Sequence, residues 1–146
     1  MAAEPTITPL AVPFSSMLGG AGFALRHAVF VLEQNVPEAI ERDEYDAGAI
    51  HVVAIAEGDV VGVLRIVDMG EHAKIGRVAV RKDWRGKGVA RTMMQYAMDL
   101  SRRNGQSRFY LSAQRDALGL YEKLGFSVFG EPFVEAGIDH VAMKTY

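Results

Sequence analysis

Arg81-Lys82-Asp83-Trp84-Arg85-Gly86-Lys87-Gly88-Val89-Ala90-Arg91 sets five basic residues and two glycines between an apolar run and an amphipathic one. Glycines let the main chain turn sharply and bring its N–H groups up to a ligand. The start of the following helix adds a partial positive charge, and Arg and Lys supply ionic contacts. An anion such as a pyrophosphate fits this loop. Two other phosphate-binding patterns fail residue by residue. A P-loop needs Gly-Lys-Ser/Thr, but Gly88 follows Lys87. A Rossmann turn needs a third glycine where Arg91 stands, and it belongs in an early βαβ unit, whereas this stretch lies in mid-chain.

Upstream of the loop, residues 51–57, 60–68 and 75–81 are β-branched runs. Gly58-Asp59 predicts an antiparallel hairpin between the first two, and Met69-Gly70 a turn into the third, giving a meander. Downstream, Val89, Ala90, Met93, Tyr96, Ala97 and Leu100 recur at helical spacing, and Asn104-Gly105 closes the helix. Residues 107–113 read as a strand that the intervening helix can bring parallel to 75–81 through a right-handed crossover. A second helix over 116–124 ends at Gly125, and strands over 126–129 and 138–144 surround Glu131-Pro132 and Gly137.

Farther out, Phe14, Met17, Leu18, Ala21, Leu25, Ala28, Val29 and Leu32 form the apolar stripe of a first helix. Gly19-Gly20-Ala21-Gly22 weakens it, so a late start, a kink and close packing against a ligand or another backbone all remain open. Residues 35–49 form a polar, acidic connection with room for one helical turn. The order is β-α-β-β-β-α-β-α-β-β, an α/β (mixed α+β) chain with helices on the faces of a mixed sheet.

With 146 residues, 49% of them apolar, one core and one domain over 1–146 are expected. The absence of cysteine excludes disulfides, thiolate metal sites and a cysteine nucleophile, and makes a cytoplasmic location the simple expectation. No apolar run reaches membrane-span length, and the first residues lack a secretory pattern. A net charge of −2 argues against a general attraction to nucleic acid or anionic lipid. His27, His51, His72 and His140 lack the short spacing of a metal site, so no metal is assigned. No Gly-x-Ser-x-Gly elbow is present, which removes the commonest serine hydrolase signal.

Arg85-Gly86-Lys87-Gly88-Val89-Ala90 resembles the coenzyme A loop of the GNAT superfamily of N-acetyltransferases, Arg/Gln-x-x-Gly-x-Gly/Ala. Arg77-Val78-Ala79-Val80 is similar to that family's central strand, and Leu120-Tyr121-Glu122-Lys123-Leu124-Gly125-Phe126 to its later helix-to-strand motif. The likeness covers about residues 20 to 146. Val29-Phe30-Val31-Leu32-Glu33-Gln34, followed by Pro37, Asp43 and Asp46, resembles the ElaA-like branch.

This resemblance implies a mixed, mostly antiparallel sheet of six to seven strands flanked by helices. It also implies transfer of the acetyl group of acetyl-CoA to a primary amine in a ternary complex. The main chain of Val78, Ala79 and Val80 would bond the pantetheine arm. The amides of Arg85, Gly86, Lys87, Gly88, Val89 and Ala90, with Arg91 beside them, would hold the pyrophosphate. An N–H near Val80 would polarise the thioester carbonyl. Tyr121 would act as general acid toward the departing thiolate, and Gln114, where many members carry asparagine, would touch the coenzyme.

An attacking amine must also lose a proton, and the candidates for the base are Glu33, His51, Glu71, His72 and His140. Glu33 is chosen, because it ends the first helix beside the acidic connection. Glu38, Glu41, Asp43, Glu44 and Asp46 either attract a cationic acceptor or face solvent. The expected acceptor is a small-molecule or peptide amine, with no nucleic acid and no membrane partner, and pairing of C-terminal strands allows a homodimer. A coenzyme A-binding sensor without efficient catalysis is the competing reading. A basic module for nucleic acid or acidic ligands ranks last.

Overall fold

The computed structural model describes residues 5–146. Seven strands form one sheet: β1 (Thr8–Val12), β2 (Ile50–Ala56), β3 (Asp59–Asp68), β4 (Ala73–Val80), β5 (Phe109–Gln114), β6 (Ser127–Glu135) and β7 (Ile138–Lys144). They lie in the order β1-β2-β3-β4-β5-β7-β6. Every neighbouring pair is antiparallel except β4 and β5, which are parallel across the helical crossover. The helices are α1 (Met17–Arg26), α2 (Glu38–Glu41), α3 (Val89–Arg103) and α4 (Leu118–Lys123). None of the described helices is long and apolar enough to cross a membrane. The expected mixed, mostly antiparallel sheet flanked by helices is the observed architecture.

Strand alternation divides the core between two faces. Val53, Val63 and Ala79 pack with Leu25, Val29 and Phe30 on the α1 side, while Val52, Leu64 and Ile75 pack with Val89, Met93 and Met94 on the α3 side. Backbone handedness accounts for several boundaries that the sequence misplaces. The β2–β3 turn centres on Glu57-Gly58, not Gly58-Asp59, with φ of 51° and 81°, the doubly left-handed form that matches strand twist. Strand β6 runs to Glu135 through Glu131-Pro132, because a break in register between Phe129 and Phe133 accommodates the proline. Strand β5 starts at Phe109, and α4 only at Leu118, after a 3-10 turn over Arg115–Ala117.

The first helix needs a larger correction. Of the predicted stripe, Met17 is 90% and Leu32 69% exposed, whereas Gly19, Gly22, Phe23, Leu25, Arg26, Val29 and Phe30 form the buried face. The helix neither starts late nor kinks at its glycines. Ser16 caps it by accepting from the Gly19 amide at 3.0 Å. A Cβ on Gly22 would meet Val63 and Val53 at 3.1 and 3.2 Å, so the glycine serves close packing on the sheet. From His27 to Glu33 the winding widens to a π-helix, which changes the angular phase of every later residue.

Helix α3 approaches the sheet as closely at Gly62 of β3. A Cβ there would lie 2.7 Å from Val89 Cγ1 and 2.8 Å from Met93 Cε. Gly62→Ala is expected to destabilise the protein by about 1–3 kcal/mol, with an unchanged urea m-value. Gly48→Ala, where a Cβ meets nothing within 4 Å, is the neutral control. Equal midpoints for the two variants would refute the close packing.

Candidate active site

Strands β4 and β5 pair only at Ala73 with Phe109 and Lys74 with Tyr110, and beyond that point they separate. On its other edge β4 bulges: Arg65 faces Gly76 and Val63 faces Ala79, so Leu64 opposes both Arg77 and Val78. Arg77 takes φ 52°, an unusual value for a residue with a side chain. A cavity of about 380 Å³ occupies the gap, lined among others by Phe30, Gly76, Val78, Ser112, Tyr121 and His140.

The basic loop leaves the end of β4. Trp84 is buried and anchors it, with Lys87 Nζ 4.8 Å from its ring centroid. Gly86 at φ 76° and Gly88 at φ 83° occupy the left-handed region that favours glycine. Gly88 is the N-cap of α3, and among the described residues the amides of residues 86–91 donate to no main-chain or side-chain acceptor. Six unpartnered N–H groups with glycine on both sides of Lys87 match the requirements of a pyrophosphate. The Arg85 side chain is committed elsewhere: Nε donates to the Val80 carbonyl at 3.0 Å, and the two Nη groups donate to Glu33 at 2.6 and 2.8 Å. Lys87 and Arg91 remain exposed.

Val78, Gln114 and Tyr121 line the cavity, while Glu33 does not. Arg85 holds the Glu33 carboxyl below the usual carboxylate range, which suits a strut between α1's π-helical end and the loop better than a base. Gln114 exchanges amide hydrogen bonds of 3.0 and 3.3 Å with Gln34 across the cavity lining. Tyr121 is buried against Phe126, and its hydroxyl has no hydrogen bond among the described residues. Burial, with the nearby Asp116 charge, pushes its phenol up to about 12.

Of the five base candidates, His140 lines the cavity and the other four do not. Its Nδ1 lies 2.7 Å from the Ile138 carbonyl, which can only accept, so Nδ1 carries the hydrogen and the neutral ring's lone pair is on Nε2. Phe133 stacks on the ring at 5.8 Å. His51 is bound to the Asp46 carbonyl at 2.7 Å between Phe14 and Phe23, and His72 stacks on Tyr110 with Nδ1 2.7 Å from the Tyr146 hydroxyl. Glu71 is exposed in the β3–β4 turn.

The acidic connection is neither a solvated loop nor a free attractor of cations. Arg26, 1% exposed, donates to Glu41 at 2.6 Å and to Asp46 at 2.7 Å. Arg65 grips Asp43 at 2.6 and 2.9 Å and reaches Asp46 at 2.9 Å. Arg77 adds a 3.2 Å bond to Asp43. Burial opposes the charge of Asp46, yet Arg26, the Asp43 amide and Arg65 together hold its carboxyl far below the usual range. Glu38 and Glu44 alone of the five stay exposed. Sequence reading misses the three arginines, although Arg26 stands three residues after Phe23 and four before Phe30, within the buried face.

Residues 5–146 match the family model described as an acetyltransferase (GNAT) domain. The chain is 32% identical over 124 residues to protein ElaA of Escherichia coli, covering 82% of this chain and 81% of that protein. The ElaA crystal structure superposes with a TM-score of 0.82 at 27% identity, covering 97% and 99% of the two chains. An acyl-CoA N-acyltransferase from Pseudomonas aeruginosa superposes with a TM-score of 0.83 at 29% identity over the same shares. A GNAT family acetyltransferase from Elizabethkingia anophelis with acetyl-CoA bound shares the fold, with a TM-score of 0.70 at 17% identity and 94% of each chain covered.

Proposed function

Because this chain belongs to the GNAT acetyltransferase family, we propose that it transfers the acetyl group of acetyl-CoA to a primary amine by direct attack within a ternary complex. The observation that carries the reading is the continuity of β4. The strand opens away from β5 beside Tyr121 and His140, and then delivers the chain to a loop of unpartnered amides.

In this reading the amides of residues 86–91 bind the pyrophosphate, and the main chain of residues 78–80 binds the pantetheine arm. Bound acetyl-CoA supplies the thioester whose C–S bond breaks as the C–N bond to the amine forms. A main-chain N–H of β4 near Val80 steadies the carbonyl oxygen as it gains charge. His140 Nε2 takes the proton that the attacking nitrogen loses, and Tyr121 gives its hydroxyl proton to the departing sulfur. No covalent bond to the protein forms, in keeping with the absence of cysteine. His140 replaces Glu33 as the proposed base, since Glu33 is bound to Arg85 outside the cavity lining.

Calorimetric titration with acetyl-CoA tests the reading. Wild-type protein is expected to bind, and Gly86→Glu, which brings a carboxylate to the pyrophosphate position, is expected to weaken binding about tenfold or more. His140→Asn should keep binding and lose release of free CoA in the presence of an amine. No binding by the wild type would refute the transferase. Binding without CoA release from any amine would leave a coenzyme-binding sensor.

A further inference from the structure

Asp43, Arg65, Val67, Lys74, Arg77 and Glu135 line both the large cavity and a second one of about 180 Å³, so the two share a charged wall. The acids of this wall are already engaged or exposed. Asp43 is held by Arg65 and Arg77, and Glu135 sits exposed on β6 without an ion pair among the described residues.

The cations are less well satisfied. Lys74 Nζ makes no hydrogen bond or ion pair among the described residues and lies 5.9 Å from the Tyr110 ring centroid. Arg77 uses Nε and Nη2 on the Ile40 and Glu41 carbonyls and on Asp43, but Nη1 has no partner among the described residues. Burial, and then the neighbouring charge of Arg65, lower its guanidinium from the ordinary range against the pull of Asp43. Between these two cations in sequence stands Gly76, where a Cβ would meet nothing within 4 Å, so the cavity floor between them is open.

We propose that the acceptor amine carries a carboxylate, which Lys74 Nζ and Arg77 Nη1 receive above Gly76 while the amine faces His140. The inference rests on the transferase reading. A polyamine suits this wall less well: its ammonium groups would meet Lys74 and Arg77, Asp43 already has two guanidinium partners, and the exposed Glu135 alone would be left to receive them. The left-handed backbone of Arg77 serves the same end, because the β4 bulge turns this side chain onto the α2 carbonyls and leaves Nη1 for a ligand.

The test is acetyl transfer to matched pairs of amines: glycine, β-alanine, 4-aminobutanoate and glutamate, each against its carboxamide twin, with spermidine as the polycation. Release of free CoA and product mass are the readouts. At least one carboxylate is expected to exceed its amide about tenfold in kcat/KM. Lys74→Met should bring that ratio close to one, and Gly76→Val should block both members, while both variants still bind acetyl-CoA by calorimetry. Equal rates for carboxylate and amide, preference for spermidine, or a ratio unchanged in Lys74→Met overturns the proposal. If no pair turns over, binding of the same pairs to the protein with CoA decides: preference for the carboxylate supports the proposal, and parity or no binding overturns it. Loss of acetyl-CoA binding in the wild type would mark failure of the transferase reading itself.

Discussion

Arg26→Met is expected to destabilise the protein by about 3–5 kcal/mol, because it removes one partner of a buried pair and leaves carboxylates behind. Arg26 reaches Glu41 through Nε and Nη2 and Asp46 through Nη1 and Nη2, and all three residues are buried. Arg65 would still touch Asp46, but no other side chain among the described residues donates to the Glu41 carboxylate. A pH series separates this effect from simple loss of packing. The folded-state carboxyl of Asp46 is depressed, so its contribution is present above the unfolded value of about 3.9 and is lost as pH falls below it. In Arg26→Met the buried carboxylates prefer the protonated form, so the deficit should be largest near neutrality and shrink on acidification. Urea midpoints at pH 7 and pH 4.5 read both quantities. A deficit below about 1 kcal/mol, the range of surface pairs, or one indifferent to pH would show that the cluster carries no buried charge.

This cluster also marks where sequence reading stops. Glycine and charge pattern announce the phosphate loop because its chemistry is local: Gly86 and Gly88 lie within one turn of the amides they expose. The three-strand meander was equally legible, since Val52 and Val53, or Val63 and Leu64, alternate between faces with period two. The apolar pattern points to a rotated face of the first helix for two physical reasons. Its contact residues include Gly19, Gly22 and Arg26, which carry little hydrophobic weight, and its second half is π-wound, so the 3.6-residue period no longer applies. The fate of the acidic connection depends on Arg26, Arg65 and Arg77, which lie 15 to 37 residues from their carboxylate or carbonyl partners and meet them only in the fold. His140 was one histidine among four until β7 set it beside Gln114 of β5, in the gap left by the parting of β4 and β5.

Tyr121→Phe is expected to lower kcat about 100-fold while leaving acetyl-CoA affinity and fold unchanged. General acid catalysis is commonly worth about 10² to 10⁴, and the low end applies because a thiol of pKa near 8.5 is a tolerable leaving group even without help. The hydroxyl bonds to no protein group among the described residues, and the ring packs edge-on to Phe126 at 6.1 Å, so phenylalanine fills the same space. Burial first, and Asp116 second, raise the phenol to about 12, which keeps the proton on Tyr121 across the working range. The activity that depends on this proton should therefore persist through pH 10, where a tyrosine of ordinary value, about 10, is already half ionised, and fade only toward about 12. A thioester whose thiol is more acidic should restore much of the variant's rate, since its sulfur leaves with less need of a proton; a purely structural defect would gain nothing from it. A kcat within threefold of wild type, or a defect indifferent to the leaving group, would remove Tyr121 from the chemistry and leave it as part of the cavity wall.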